Sequence, residues 1–305
     1  MTNRDNRWQF WIDRGGTFTD IVAQHPDGEI LIHKLLSENP DQYADAAIQG
    51  IREILGLNTE APMPVETIAC IKMGTTVATN ALLERAGDRT LLMITKGFGD
   101  ALRIGYQHRP QIFAREILLP AMLYDRVVEV TERHTAQGEE LIPVQIDDAL
   151  TQSLQTAYED GIRSCAIVFL HGYRYHTHEL QVAELAREIG FTQISLSHQD
   201  SPLIKLVSRG DTTVVDAYLS PILRRYVDSF SHQLTPSPPV SQSPSPLVPQ
   251  SPALLFMQSN GGLTSAQNFQ GKDSILSGPA GGIVGAVKTS TMAGFTKIIG
   301  FDMGG

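Results

Sequence analysis

The chain has 305 residues, 42% of them hydrophobic and 19% charged, with a formal net charge of −9. That is the composition of a folded globular protein with one large core or two moderate ones, so disorder is not the default reading. The acidic balance argues against a nucleic-acid surface, and no apolar run approaches the ~18 residues of a membrane span. Residues 8–13, 18–24 and 29–35 read as three strands, and Pro26-Asp27-Gly28 supplies the turn between the last two, so the chain opens as an antiparallel meander. A helix is expected from Asn39-Pro40-Asp41 to about Leu55, closed by Gly56, with Ala44, Ala47, Ile48, Ile51 and Ile54 on one face. Strand, helix and strand follow at 67–73, 77–86 and 90–95.

Residues 147–197 carry a further α/β run: a helix over 147–160, a strand over 166–170, a helix over 178–189 stopped by Gly190, and a strand over 193–196. Residues 211–230 read as a long helix interrupted or bent at Pro221, which removes a backbone donor. The proline- and serine-rich stretch 234–252 cannot build a packed core and is expected to be an exposed loop; it lacks the basic anchor of a proline-motif ligand. Beyond it, strands are expected at 253–257, 274–276 and 298–301, with a helix over 282–292.

One motif occurs twice. Asp13-Arg14-Gly15-Gly16-Thr17 follows the first apolar strand, and Asp302-Met303-Gly304-Gly305 follows the last. Paired glycines let a backbone bend through positive φ and bring N–H groups against phosphate oxygens. Asp13 and Asp302 would then hold Mg²⁺, directly or through water, because that ion prefers oxygen ligands. Thr17 and Thr19 add hydroxyls to the first loop. Asp and Gly at a strand end also serve turn geometry alone. The recurrence of the motif after similar strands points instead to two half-domains facing one nucleotide. A hairpin meander followed by α/β alternation suits an actin-like half; a doubly wound fold would place a crossover helix directly after its first strand.

These residues resemble a known family. The run from Phe10-Trp11-Ile12-Asp13-Arg14-Gly15-Gly16-Thr17 to Asp20 is similar to the opening of the hydantoinase A and 5-oxoprolinase family. Gly74-Thr75-Thr76-Val77-Ala78-Thr79-Asn80, Ser277-Gly278-Pro279-Ala280-Gly281-Gly282 and Gly300-Phe301-Asp302-Met303-Gly304-Gly305 match further blocks of that family in the expected order. The resemblance implies an α/β fold. Its first part would be an actin-like ATPase (ribonuclease H-like) N-terminal half with an additional α/β segment, the second half being absent. It also implies a division into an N-terminal actin-like domain over 1–209 and the start of a hydantoinase A domain over 210–305, which carries the proline-rich insert.

Other motifs are weaker. No complete Gly-X4-Gly-Lys-Ser/Thr loop is present. Ala280-Gly281-Gly282-Ile283-Val284-Gly285 imitates a dinucleotide fingerprint, but alanine replaces its first glycine. Thr75 and Thr76, between a strand and a helix, read as helix caps or as a substrate loop, and the resemblance adds Asn80 to the substrate candidates. In the segment Arg103 to Pro110, Arg103 and Arg109 would suit a substrate carboxylate, and equally a surface loop with ordinary ion pairs. His171, His176, His178 and His198 do not have zinc-site spacing, and His178-Glu179 suits a helix start. Cys70 and Cys165 read as buried, reduced thiols of a cytoplasmic protein, and Arg4, Asp5 and Arg7 are not followed by the apolar core of a secretory signal.

The function the resemblance implies is the N-terminal nucleotide-binding portion of an ATP-dependent 5-oxoprolinase, converting 5-oxo-L-proline, ATP and water to L-glutamate, ADP and phosphate. Asp13, Gly15, Gly16, Thr17 and Thr19 would face ATP and Mg²⁺ from one side, and Asp302, Gly304 and Gly305 from the other. No general base is assignable. The alternatives are a hydantoinase A or acetone carboxylase type subunit acting on another small molecule, and a non-catalytic fragment that works through a partner. The chain is expected to need a missing C-terminal half or a hydantoinase B-like subunit, to bind ATP weakly alone and not to turn it over.

Overall fold

Alternation of apolar and polar residues builds β1 (Trp8–Arg14), β2 (Phe18–Gln24) and β3 (Ile30–Leu36) as consecutive antiparallel strands. The structure is a computed structural model that describes residues 6–58, 61–107, 113–234 and 252–301. Its chain divides into two units, Met1–Asn80 with Leu223–Gly305, and Ala81–Ile222. In the first, Phe10, Ile12, Ile21 and Ala23 are buried on one sheet face, and the residues alternating with them, Trp11, Asp13, Asp20 and Val22, lie on the other.

The expected helix from Asn39 starts later. Residues 39–43 close a turn, with Gln42 and Tyr43 N–H donating to Asn39 O, and α1 (Ala46–Ile54) begins behind Asp45. The Asp45 carboxylate accepts from Ile48 N at 3.0 Å. This cap stands directly ahead of the apolar stripe Ala47, Ile48 and Ile51, so it wins over the earlier start signal. β4 (Ile68–Thr75) then runs parallel to β1, and α2 (Val77–Leu83) follows.

In the second unit come β5 (Thr90–Thr95), α3 (Ala101–Ile104), β6 (Arg126–Val130), β7 (Arg133–His134) and β8 (Glu140–Ile142). They are followed by α4 (Asp148–Glu159), β9 (Ser164–Val168), α5 (Thr177–Ile189), β10 (Gln193–Leu196) and α6 (Ser197–Asp200). The strands β10, β9, β5 and β6 form a wholly parallel sheet in that order. Every residue of β5 and β9 is buried, as a parallel sheet covered on both faces requires. Gly190 closes α5 at φ +113°, a left-handed cap that glycine adopts without strain.

The long helix α7 (Leu206–Gln233) runs through Pro221 without interruption, so of the interruption or bend expected there the interruption is not formed. Proline removes the donor that would bond the carbonyl of Ala217. Ser164 Oγ donates to that carbonyl instead, at 2.5 Å. Leu223, Val227 and Phe230 then join the core of the first unit.

Returning to the first sheet, β11 (Ala253–Met257) pairs parallel with β4 and β12 (Leu263–Ser265) antiparallel with β11. The full order is β12-β11-β4-β1-β2-β3, the meander-plus-parallel arrangement expected of an actin-like half. Two expected strands are not formed. Residues 274–276 lie at the end of α8 (Gly271–Ser274) and lead directly into α9 (Ser277–Met292). That helix starts at Ser277 rather than Gly282 because Ser277 Oγ is anchored on Thr75 O at 2.8 Å and Leu276 N on Ser259 Oγ at 3.0 Å. Residues 298–301 are irregular, since no strand among the described residues pairs with them. The interior of the proline-rich insert and residues 302–305 lie outside the described residues.

Candidate phosphate-binding site

The turn between β1 and β2 is braced from the end of β3. Gly15 N donates to Phe18 O at 3.0 Å, Ser37 N to Thr17 O at 2.9 Å, and Ser37 Oγ to Gly15 O at 2.7 Å. Neither Gly15 nor Gly16 adopts positive φ. What position 15 demands is close approach: a β-carbon there would stand 2.9 Å from Phe18 O. Gly16 and Thr17 are exposed at the tip, whereas Thr19 is buried with its hydroxyl 3.0 Å from Ser37 Oγ. Thr19 therefore braces the loop from inside.

Asp13 lies opposite Asp20 on one side and Gly74 on the other. Lys34 Nζ donates to both carboxylate oxygens of Asp20, at 2.8 and 3.0 Å. Behind the turn, the Arg14 guanidinium sits 5.3 Å from the ring centre of Tyr226, and burial raises the Tyr226 phenol far above its ordinary range. Thr76 donates to Arg14 O from both its N–H, at 3.1 Å, and its hydroxyl, at 3.3 Å. Thr75 is buried, and its hydroxyl accepts from Val77 N at 3.3 Å, a cap on α2. Asn80 comes close to the loop tip, where a β-carbon at Gly16 would be 3.4 Å from its Nδ2.

A cavity of about 530 Å³ opens on this sheet face, with Asp13, Asp20, Lys72 and Gly74 on its floor. Ser277, Gly278, Gly281 and Gly282 from the first two turns of α9 form a further wall, and Trp11, Val22, Met257 and Leu263 supply an apolar part. The Lys72 ammonium lies 5.1 Å from the Trp11 ring centre. A helix start offers N–H groups outside the helical ladder and the positive end of the macrodipole, both suited to an anion. Asp20, Lys72 and the α9 glycines were not singled out as site residues, although their signal is in the sequence. Asp13 and Asp20 are equidistant from the Gly16-Thr17 tip, so a simple hairpin pairs them, and Lys72 shares a strand face with Gly74.

The described residues that line this cavity include none of the other candidates. Arg103, in the second unit, lines a cavity of about 480 Å³ with Asp100, Tyr124 and Asp125. Burial raises the Tyr124 phenol, against the nearby Arg103 charge. Arg109, Asp302, Gly304 and Gly305 fall outside the described residues. The dinucleotide-like run at 280–285 is interior to α9 and follows a helical turn, not the strand that a fingerprint needs. His178 is held between Glu132 and Glu140, and His198 rests on Glu179 with His176 stacked against it. Cys165 is buried, and burial raises its thiol pKa; Cys70 is only half-buried, with its thiol 3.6 Å from Gln9 Oε1. Among the described residues no helix is long and apolar enough to cross a membrane.

Comparison with known proteins bears on this arrangement. A family model for the hydantoinase/oxoprolinase N-terminal region matches residues 9–190, and the hydantoinase/oxoprolinase model matches residues 209–305. The chain is 41% identical to a 5-oxoprolinase of Dictyostelium discoideum over 97% of its length, and 42% identical to 5-oxoprolinase 1 of Arabidopsis thaliana over 99%. It covers 26% and 25% of those proteins, about a quarter of each. The crystal structure of an ATP-dependent caprolactamase from Pseudomonas jessenii matches 97% of this chain and 42% of that one, at 28% identity with a TM-score of 0.76. A nucleotide-free acetone carboxylase, at 21% identity and a TM-score of 0.70, shares the fold over 94% of this chain and 41% of that one.

Proposed function

Because the chain belongs to the hydantoinase/oxoprolinase family, we propose that it is the nucleotide-binding portion of an ATP-dependent 5-oxoprolinase. The observation that carries this reading is the pairing of Asp13 with Asp20 beneath a glycine-walled cavity. Two carboxylates offer the all-oxygen donor set that Mg²⁺ takes. The wall leaves space for a ligand: a β-carbon at Gly282 would meet nothing within 4 Å.

In this reading Asp13 holds Mg²⁺, directly or through water, with Asp20 beside it. The N–H groups of Gly16 and Thr17 would receive terminal phosphate oxygens, with Gly15 holding the turn through its own N–H on Phe18 O, and Asn80 and Thr76 would flank them. Asp302, with Gly304 and Gly305, would supply the opposing loop and a further carboxylate for the ion. Thr19 and Thr75 act by position, one bracing the loop and the other capping α2. Arg103 and Arg109 clamp the carboxylate of a cyclic amide substrate through paired hydrogen bonds. Mg·ATP would supply a phosphoryl group to the lactam oxygen, making the ring carbon attackable by water; the ring C–N bond would then break with the nitrogen taking a proton, and a second water would release phosphate to leave L-glutamate. The identities near 40% to 5-oxoprolinases favour that substrate over a hydantoin or ketone. A longer chain or a hydantoinase B-like subunit supplies the remaining machinery, in the cytoplasm.

The test is calorimetric titration of the chain with Mg·ATP. Weak binding that is lost in Asp13→Asn, with no ATP turnover on adding 5-oxo-L-proline, is the expected result. Affinity unchanged in Asp13→Asn overturns the site. Hydantoin-only stimulation of ATP hydrolysis in the completed protein overturns the substrate.

A further inference from the structure

The second unit gathers a group of side chains that the nucleotide reading does not use. Glu132 directly precedes β7 and His134 ends it, in a β-hairpin whose register shifts between Arg133 and His134. His134 pairs with Glu140 across the hairpin, and His178 arrives from the first turn of α5. One ligand atom from each of Glu132, His134 and His178 lies within 4.8 Å of the other two. Glu132 and His178 are both buried and His134 is half-buried.

The surroundings orient these groups as ligands. Thr95 Oγ1 donates to Glu132 Oε1, leaving Oε2 toward His178 Nδ1 at 2.9 Å. His178 Nε2 lies 2.8 Å from Glu140 Oε1, so with Nδ1 as the ligating atom the other ring nitrogen donates to an outer carboxylate. Carboxylate-histidine-metal chains have this form. The His134 ring is fixed between His178, at 4.1 Å, and Tyr175, at 5.7 Å between ring centres. Tyr175 in turn donates to Ala136 O at 3.2 Å and packs where a β-carbon at Gly138 would stand. A further imidazole, His171, has a buried Nδ1 with no hydrogen-bond partner.

We propose that Glu132, His134 and His178 form a binding site for a divalent transition metal of the Zn²⁺ class, with Glu140 as the outer-shell carboxylate. Two imidazoles, which are borderline donors, together with one carboxylate suit Zn²⁺ or Co²⁺ rather than the all-oxygen sets of Mg²⁺ or Ca²⁺. Donor atoms of a tetrahedral Zn²⁺ site stand roughly 3.5 Å apart, so closure needs side-chain rotations of about 1 Å. The ion would fasten the β7–β8 hairpin to α5, tying residues 132–140 to residue 178. The competing state is metal-free, with His178 hydrogen-bonded between Glu132 and Glu140.

The two states are separated by titrating the full chain with Co²⁺ and following its visible absorption. The expected result is one equivalent bound with tetrahedral bands, displaced by Zn²⁺. His134→Ala leaves the Glu132–His178–Glu140 bridge intact, so the variant should keep its circular dichroism while losing at least about 100-fold in Co²⁺ affinity. Glu140→Gln should lose about 10-fold or more, the effect of removing an outer-shell partner. Zn²⁺ should raise the thermal midpoint of the parent chain and not of His134→Ala. No stoichiometric Co²⁺ binding, or equal affinity in the parent and His134→Ala, overturns the site.

Discussion

Ser164 bonds the carbonyl of Ala217, the group that Pro221 leaves without its helical donor. Both Ser164 and Ala217 are fully buried, so an unpaired carbonyl there would carry a desolvation cost of about 1–3 kcal/mol. Ser164→Ala is expected to destabilise the chain by that amount in urea unfolding. Pro221→Ala in the same background restores a donor to the carbonyl and should recover most of the loss. Additive effects of the two substitutions would show that the serine does not complete the helix.

This case also shows where the sequence was legible. Pro221 is a correct local signal of a missing donor, but the hydroxyl that compensates it lies in β9, 53 residues upstream of the Ala217 carbonyl it bonds. Non-local pairing of this kind has no sequence period. The opening meander was readable because its register follows from period two about one turn, and α5 because Gly190 stops it. The strands expected at 274–276 and 298–301 were apolar runs without partners, and periodicity alone does not supply a partner. Of the candidate cavity's lining, Asp13 is evident in the sequence, while the wall from α9 requires knowing that a helix starts at Ser277; the Gly15-Gly16 pair does not line the cavity.

Gly74 allows β4 to lie against the Asp13 carboxylate. A β-carbon at position 74 would stand 3.3 Å from Asp13 Oδ1 and 4.0 Å from Ile12 O. Asp13 is exposed and can give way by a few tenths of an ångström, so Gly74→Ala should change stability by less than about 1 kcal/mol. It should nevertheless turn the carboxylate and weaken Mg·ATP binding several-fold. Calorimetric titration alongside urea unfolding checks both parts. Unaltered Mg·ATP affinity would mean that the orientation of Asp13 is not used.

The wall residues Gly281 and Gly282 separate stability from ligand space. Both lie inside α9, where glycine costs roughly 0.5–1 kcal/mol relative to alanine. A β-carbon at Gly281 would make only ordinary contact with Met257, at 3.8 Å, and one at Gly282 would touch nothing within 4 Å. Gly282→Ala and the double alanine variant should therefore unfold at higher urea concentrations than the parent. Placed in the cavity wall, the added methyl groups should also lower nucleotide affinity. Higher stability with full Mg·ATP binding would place the nucleotide elsewhere.

Glu179 is expected to be the most sensitive acidic side chain of the second unit. It is fully buried and accepts from Phe169 N at 3.0 Å, Ser197 Oγ at 2.5 Å, His198 N at 3.2 Å and, through its second oxygen, faces His198 Nδ1 at 2.6 Å. Gly172 packs so closely that a β-carbon there would overlap Oε1 at 2.2 Å. Through Ser197 the network reaches Arg209, also fully buried, whose guanidinium donates to Ser197 Oγ at 3.0 Å and to the carbonyls of Phe169 and Leu203 at 2.6 and 2.5 Å. Burial lowers the pKa of Arg209 and the Glu179 charge offsets this, so the carboxylate compensates a cation held away from water. Glu179→Gln keeps the shape but removes that charge and turns an amide NH2 toward donors, and each hydrogen bond lost to a charged group is worth about 1.5–3 kcal/mol. The variant should thus be less stable than Ser164→Ala, and Arg209→Lys should fall with it, because an ammonium does not span the same set of acceptors. Urea unfolding of the three variants ranks them directly, and a loss below about 1 kcal/mol in Glu179→Gln would show that the carboxylate is not what holds the buried arginine.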